Sequence, residues 1–252
     1  MASPAHRDEP PRPGAVQPAL VRESGALKRR LIDEATAAVG MLEASLAALW
    51  ELDTTAAEEI LKRDDRIDKE EVAIEETVFR LMALQSPVAR DFRMLAFVLK
   101  TNNEVERIGD HACSVAKIAL KLATLNQATP GSSIAWPTSL VELGQRVPMA
   151  CHRCLRALLD EDPALAKQVV VDDKILDRLT RQLFDETISL MRSRDDSHAI
   201  GLYIYRVGRE LERVGDLVTN IAEDVVYLVT GEIIRHEKKR LREEADGSGN
   251  RA

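Results

Sequence analysis

An all-α fold, built as two tandem antiparallel three-helix bundles related by internal duplication, is what this sequence predicts. Three observations predict it. Ala, Leu, Val, Glu and Arg dominate and aromatic residues make up only 4% of the chain, a bias that favours helix over sheet. Apolar residues recur at helical spacing through long stretches free of turn residues. And the stretch "EVERIGD" at Glu104–Asp110 returns as "ELERVGD" at Glu210–Asp216, an offset of 106 residues.

The repeat extends further. "LDTTAAEEILKRDDRID" at Leu52–Asp68 is similar to "EDPALAKQVVVDDKILD" at Glu161–Asp177, with Asp53, Asp64 and Asp68 matching Asp162, Asp173 and Asp177 at an offset of 109. A period near 106–109 residues is too long for a solenoid repeat and suits a duplicated domain. The predicted organisation is a disordered Pro-rich tail over 1–22, a first bundle over 23–125, a linker over 126–137, a second bundle over 138–235 and a charged, frayed tail over 236–252.

In the first bundle, helix one is expected from Glu23 to Trp50. Asp53 then caps a short helix, "TTAAEEILKR". Helix two runs from Asp64 to Gln85. Ser86-Pro87 forms a turn with Pro87 as first helical residue, and helix three runs to Leu122. "LNQATPGSSIAWPTS" reads as the link between halves. In the second bundle, helix four spans Thr138–Leu159 with a bend at Pro148, Asp162-Pro163 is an N-cap, helix five spans Asp173–Met191, and helix six spans Asp196–Thr230, stopped by Gly231. Val98, Val105, Ile108, Ala112, Val115 and Ala119 form one bundle seam; Val207, Leu211, Val214, Val218, Ile221 and Val225 form its copy.

In an antiparallel hairpin, residues at one level share a constant index sum. Asp68 with Glu106 and Asp64 with Asp110 share one, and its midpoint is Pro87. Asp177 with Glu212 and Asp173 with Asp216 share another, centred on the turn "SRDD". Each half thus sets two acidic i,i+4 pairs level with each other, on the flank of the seam. That position is compatible with a shared site at a groove edge or with a solvated face. Crowded carboxylates repel, and they take up protons or bind a cation. Oxygen-only ligands favour magnesium, manganese, calcium or ferric iron. Gly109 and Gly215 lie in helix interiors and suggest close helix approach beside the acidic pairs.

Other function classes find less support. A net charge of −7 argues against nucleic acid as the main partner. Three cysteines, Cys113, Cys151 and Cys154, offer no disulfide framework and fit a reducing compartment. No run is long enough to span a membrane, and no secretory signal is apparent, so the expected location is cytoplasmic. "CHRC" at Cys151–Cys154 is an incomplete zinc pattern and reads as structural; His111 reads as a helix-surface histidine. A di-iron carboxylate enzyme would need Glu-x-x-His, and no histidine has Glu three residues before it. No nucleotide-binding or hydrolase motif is present. The basic cluster "RHEKKRLR" is interleaved with acids and reads as a solvated helix end.

The stretches "NNEVERIGDHACSVAK" and "RELERVGDLVTNIAED" resemble the paired motifs of the PhoU proteins, accessory regulators of bacterial phosphate uptake, and the resemblance covers about residues 22–232. It implies a homodimer of two-bundle chains with divalent or ferric metal (magnesium, manganese, iron or zinc) on E(D)xxxD motif pairs. The ligands it implies are Asp64, Asp68, Glu106 and Asp110 in one half, and Asp173, Asp177, Glu212, Asp216 and Asn220 in the other; Ser114, a shorter and weaker ligand, replaces the matching Asn in the first half, so weaker or different binding is expected there. It implies a non-enzymatic adaptor, peripheral to the membrane through protein partners, that links the phosphate ABC transporter ATPase to a phosphate-sensing histidine kinase. Such an adaptor represses the phosphate-starvation response. The alternatives are an accessory subunit of another phosphate permease and a metal-dependent enzyme on a helical bundle.

Overall fold

The computed structural model describes residues 18–128, 134–193 and 198–234. Among the described residues every regular element is a helix: α1 Pro18–Glu51, α2 Thr54–Leu61, α3 Asp64–Gln85, α4 Ala89–Ala128, α5 Thr138–Asp160, α6 Pro163–Ser193 and α7 His198–Thr230.

The duplication survives in the backbone. Each half's first helix ends on a non-glycine residue in the left-handed region, Leu52 (φ 53°) and Glu161 (φ 49°). The next residue's amide then closes back over the helix end, Asp53 to Ala48 and Asp162 to Ala157, both at 2.9 Å. Those aspartates are also N-caps. Asp53 Oδ1 accepts from the Ala56 amide at 3.0 Å, and Asp162 Oδ1 accepts from Ala164 and Leu165 at 2.9 and 3.1 Å. Such caps satisfy amides that the first helical turn leaves unpaired.

The halves then diverge. The first breaks at Lys62-Arg63 between α2 and α3. The second runs unbroken as α6, so the helix predicted to begin at Asp173 begins at Pro163. Val171 occupies the place of Lys62, and Val169, Val170 and Val171 are all buried; burial of that apolar run holds the helix through the position where the first half turns. Two further expectations are corrected. Helix α1 starts at Pro18, so residues 18–22 are helical; Leu20 is buried, which anchors this turn. Pro87 is not the first residue of α4: Ser86 turns the chain at φ 43° and the helix starts at Ala89. Pro148 lies inside α5, which continues through it. Gly231, at φ 78°, closes α7 with its amide on the Tyr227 carbonyl at 2.8 Å. The C-terminal basic cluster, residues 194–196 of the turn "SRDD" with Ser197 after them, and residues 129–133 of the link lie outside the described residues.

All twelve seam residues are buried, in one core continuous across both halves. Equivalent helices meet across the middle. Lys100 reaches Asp224 (3.7 Å) and lies over the Tyr227 ring, while His111 meets Glu210 at 2.7 Å. Rising numbers on α4 therefore pair with falling numbers on α7. Likewise Lys28 pairs with Glu161 and Glu43 with His152, so α1 and α5 run antiparallel too. Antiparallel packing of each helix on its own copy relates the halves by about a half-turn. Trp136, ahead of α5, packs edge-on against Trp50 at 5.1 Å and ties the link to α1.

Candidate functional site

In the first half the predicted acidic residues lie within electrostatic reach of one another. Asp64 and Asp68 stand on α3, Glu106 and Asp110 on α4. The Asp68 carboxyl is raised by partial desolvation and then by Asp64 and Asp110. That of Glu106 is raised by desolvation, then by Asp110, Glu71, Asp68 and Asp64. Asn102 Nδ2 donates to the Glu71 carbonyl at 2.8 Å and sets the level of α4 on α3 close to the predicted register. Cys113 adjoins the cluster; burial first, then its hydrogen-bonded neighbour Asp64, push its thiol up to about 12.

Two carboxylates absent from the prediction belong to this neighbourhood. Glu71 is raised by desolvation, Glu75 and Asp68. Its place was legible: Asp64, Asp68, Glu71 and Glu75 step along one face of α3 at helical spacing. Glu34 on α1 is 4% exposed and neither of its carboxyl oxygens has a hydrogen-bond partner. No local sequence signal marks it, because its neighbours come from other helices.

The second half is compensated differently. Asp177 and Glu212 line one surface groove with Arg181 and Arg209, and Arg209 pairs with Glu212. At the position of Arg209 the first half carries Asn103. Asp173 is buried beside Gly215, Asp216 is exposed and Asn220 is half-buried. Among the described residues no three His, Cys, Asp or Glu side chains stand close enough around one point to hold a metal ion. The donor chemistry of the first half nevertheless fits a hard cation: carboxylate oxygens in mutual repulsion, with a buried unpartnered carboxyl adjoining them.

The two glycines differ. A Cβ on Gly215 would lie 2.8 Å from Leu176 Cδ1, whereas one on Gly109 would meet Ile67 no closer than 3.6 Å. Only Gly215 marks a close approach. Gly109→Ala should therefore raise stability by up to about 1 kcal/mol through helix propensity, while Gly215→Ala should forfeit that gain by displacing Leu176. Urea titration of both variants checks this; equal shifts would refute it.

Cys151 and Cys154 are buried, with burial pushing both thiols up, Cys154 to about 12. His152 points away to an exposed pair with Glu43, so "CHRC" is structural. His111 is not a surface histidine: its side chain is 12% exposed and lies against Glu210 between the halves.

The PhoU domain family matches residues 31–119 and 140–225, one match per bundle. The chain belongs to the PhoU family. It is 33% identical over 228 residues to the phosphate-specific transport system accessory protein PhoU homolog of Xylella fastidiosa, covering 90% of this chain and 92% of that one. It is 33% identical to the Pseudomonas aeruginosa homolog, with coverage of 80% and 81%. The crystal structure of PhoU from Pseudomonas aeruginosa superposes with a TM-score of 0.79 at 29% identity, covering 84% of this chain and all (100%) of that one. The phosphate transport system regulatory protein PhoU from Streptococcus pneumoniae superposes with a TM-score of 0.76 at 27% identity, with coverage of 85% and 98%. The PhoU accessory and regulatory proteins are non-enzymatic. Among the described residues no helix is long and apolar enough to cross a membrane.

Proposed function

We propose that this chain is a cytoplasmic phosphate-signalling adaptor. As a homodimer it links the phosphate ABC transporter ATPase to the phosphate-sensing histidine kinase, represses the phosphate-starvation response when phosphate is plentiful and modulates uptake. Family membership along both bundles, with relatives named as accessory and regulatory proteins of phosphate transport, is the observation that carries this reading. Deleting the protein should derepress phosphate-starvation genes in phosphate-replete cells; unchanged expression would sink the proposal. The second reading, an accessory subunit of another phosphate permease, would show instead as altered uptake with normal repression.

Metal belongs to the same proposal. Asp64, Asp68, Glu106 and Asp110 would hold one set of ions, and Asp173, Asp177, Glu212, Asp216 and Asn220 the other. A bound cation offsets the repulsion among these carboxylates and steadies α3 on α4 and α6 on α7. Support comes from the raised carboxyls of the first half. The first half lacks a counterpart to Arg209, which should outweigh the weaker Ser114 ligand and make it the tighter site. Elemental analysis of untagged protein beside a Glu106→Gln, Asp110→Asn, Glu212→Gln, Asp216→Asn variant tests this. Metal is expected in the parent and not in the variant; none in either would return the carboxylates to solvent or to a partner's basic surface.

A further inference from the structure

Among the described residues Glu34 is the one carboxyl with both oxygens buried and without a hydrogen-bond partner. An ionised carboxylate taken from water without partners costs several kcal/mol, so such a group takes up either a proton or a cation. Its surroundings are three helices. Arg30, one turn back on α1, is already spent on Glu70 of α3 at 2.7 Å. Glu70 and Glu71 of α3 and Glu106 of α4 all repel its charge. Asn102 lies one turn before Glu106 on α4 and is 1% exposed; its amide nitrogen is committed to the Glu71 carbonyl, which leaves Oδ1 buried and unpartnered.

The same positions in the second half are instructive. At the repeat offsets, Glu34 corresponds to Leu143, Glu71 to Thr180 and Asn102 to Gly208; only Glu106 keeps its carboxylate, as Glu212. The polar group is thus a unit confined to one half, whereas the E(D)xxxD pairs occur in both. Duplication does not explain it, and the equivalent helices pack without it.

We propose that Glu34, Glu71 and Glu106, with the Asn102 side-chain oxygen, form an interior site for one hard divalent cation between α1, α3 and α4. The site goes beyond the motif-pair reading and shares only Glu106 with it. The donors are all oxygen, three of them carboxylates, which suits manganese, magnesium or calcium and disfavours softer ions. These carboxylates do not converge on one point in the ion-free structure, so binding would require the long Glu71 and Glu106 side chains to turn towards Glu34. Bound there, it joins three helices of one bundle. Cation occupancy then controls how firmly α1 is held against the α3–α4 hairpin.

The test uses the full chain with the motif pairs disabled by Asp64→Asn, Asp68→Asn, Asp110→Asn, Asp173→Asn, Asp177→Asn, Glu212→Gln and Asp216→Asn. Manganese is titrated in and the free ion is followed by electron paramagnetic resonance. The expected result is about one manganese per chain, weakened about tenfold or more when Glu34→Gln is added, together with a manganese-dependent rise in melting temperature that the addition abolishes. Glu34→Leu, which restores the second half's own residue, should fold and also lose the ion. If the multiple variant does not fold, Glu34→Gln in the parent chain should lower the manganese count by about one. No binding to the folded motif-disabled chain, or binding indifferent to Glu34→Gln, overturns the site. Loss of manganese from the motif-disabled chain while the parent still binds it would overturn this site and leave the motif-pair reading standing.

Discussion

Between about pH 5 and about pH 8, metal-free protein should lose about 2–4 kcal/mol of stability, and Glu34→Gln should remove most of that loss. The Glu34 carboxyl is raised from 4.5 to about 8, by desolvation first and then by Glu70 and Glu71, with Arg30 opposing and Glu106 adding a smaller push. The folded state therefore holds a proton that the unfolded chain releases above its ordinary carboxyl pKa. That contribution is fully present below the unfolded value and fades as pH rises through the folded one. Asp68, Glu71 and Glu106 are raised too and act in the same direction. Glu161 and Glu210 are lowered, by hydrogen bonds to Lys28 and His111 respectively. Their contributions are present above the ordinary carboxyl pKa and are lost only as pH falls below it. They shape the acid limb and leave the window above pH 5 to the raised carboxyls, Glu34 foremost. Chemical denaturation of parent and variant across this range, in chelator, is the measurement. A parent whose stability is flat from pH 5 to pH 8 would contradict the assignment. Added divalent cation should flatten the parent profile if the ion replaces the proton.

Glu210→Ala should cost about 1–3 kcal/mol, more than a surface carboxylate is worth. Glu210 is 7% exposed and its Oε2 stands 2.7 Å from His111 Nδ1, with the imidazole donating to the carboxylate. Removing it strands a polar ring between α4 and α7, the two helices that carry the motif in each half. His111→Ala combined with Glu210→Ala should cost less than the two single variants together, because the partner is no longer left buried alone. Strict additivity in urea titrations would show that the pair does not couple the halves. A falling melting temperature with unchanged manganese stoichiometry would place its role in holding the bundles together.

Much of the architecture was legible because it rests on local, periodic signals. Seam residues such as Val105 and Leu211 repeat at helical spacing, and burial follows from that spacing. Asp53 and Asp162 announce helix starts through side chains that can reach amides two or three residues on. The doubled motif showed the duplication outright. The level matching of Asp68 with Glu106 followed from antiparallel geometry and one turn position. Departures from the repeat also have local causes. Lys62 and Val171 differ in what they bury, so one half breaks where the other continues, although the aligned repeat suggested the same break twice.

The sequence by itself determined the all-helical class, the twofold repeat, the seams, the caps and the acidic faces, because each depends on residues within a few turns of one another. Tertiary structure decided the rest. Glu34 looks like an ordinary acidic helix residue until α3 and α4 close over it. His111 looks exposed until α7 arrives with Glu210. Burial and electrostatic coupling between helices distant in sequence depend on three-dimensional packing, and no short window of residues encodes them.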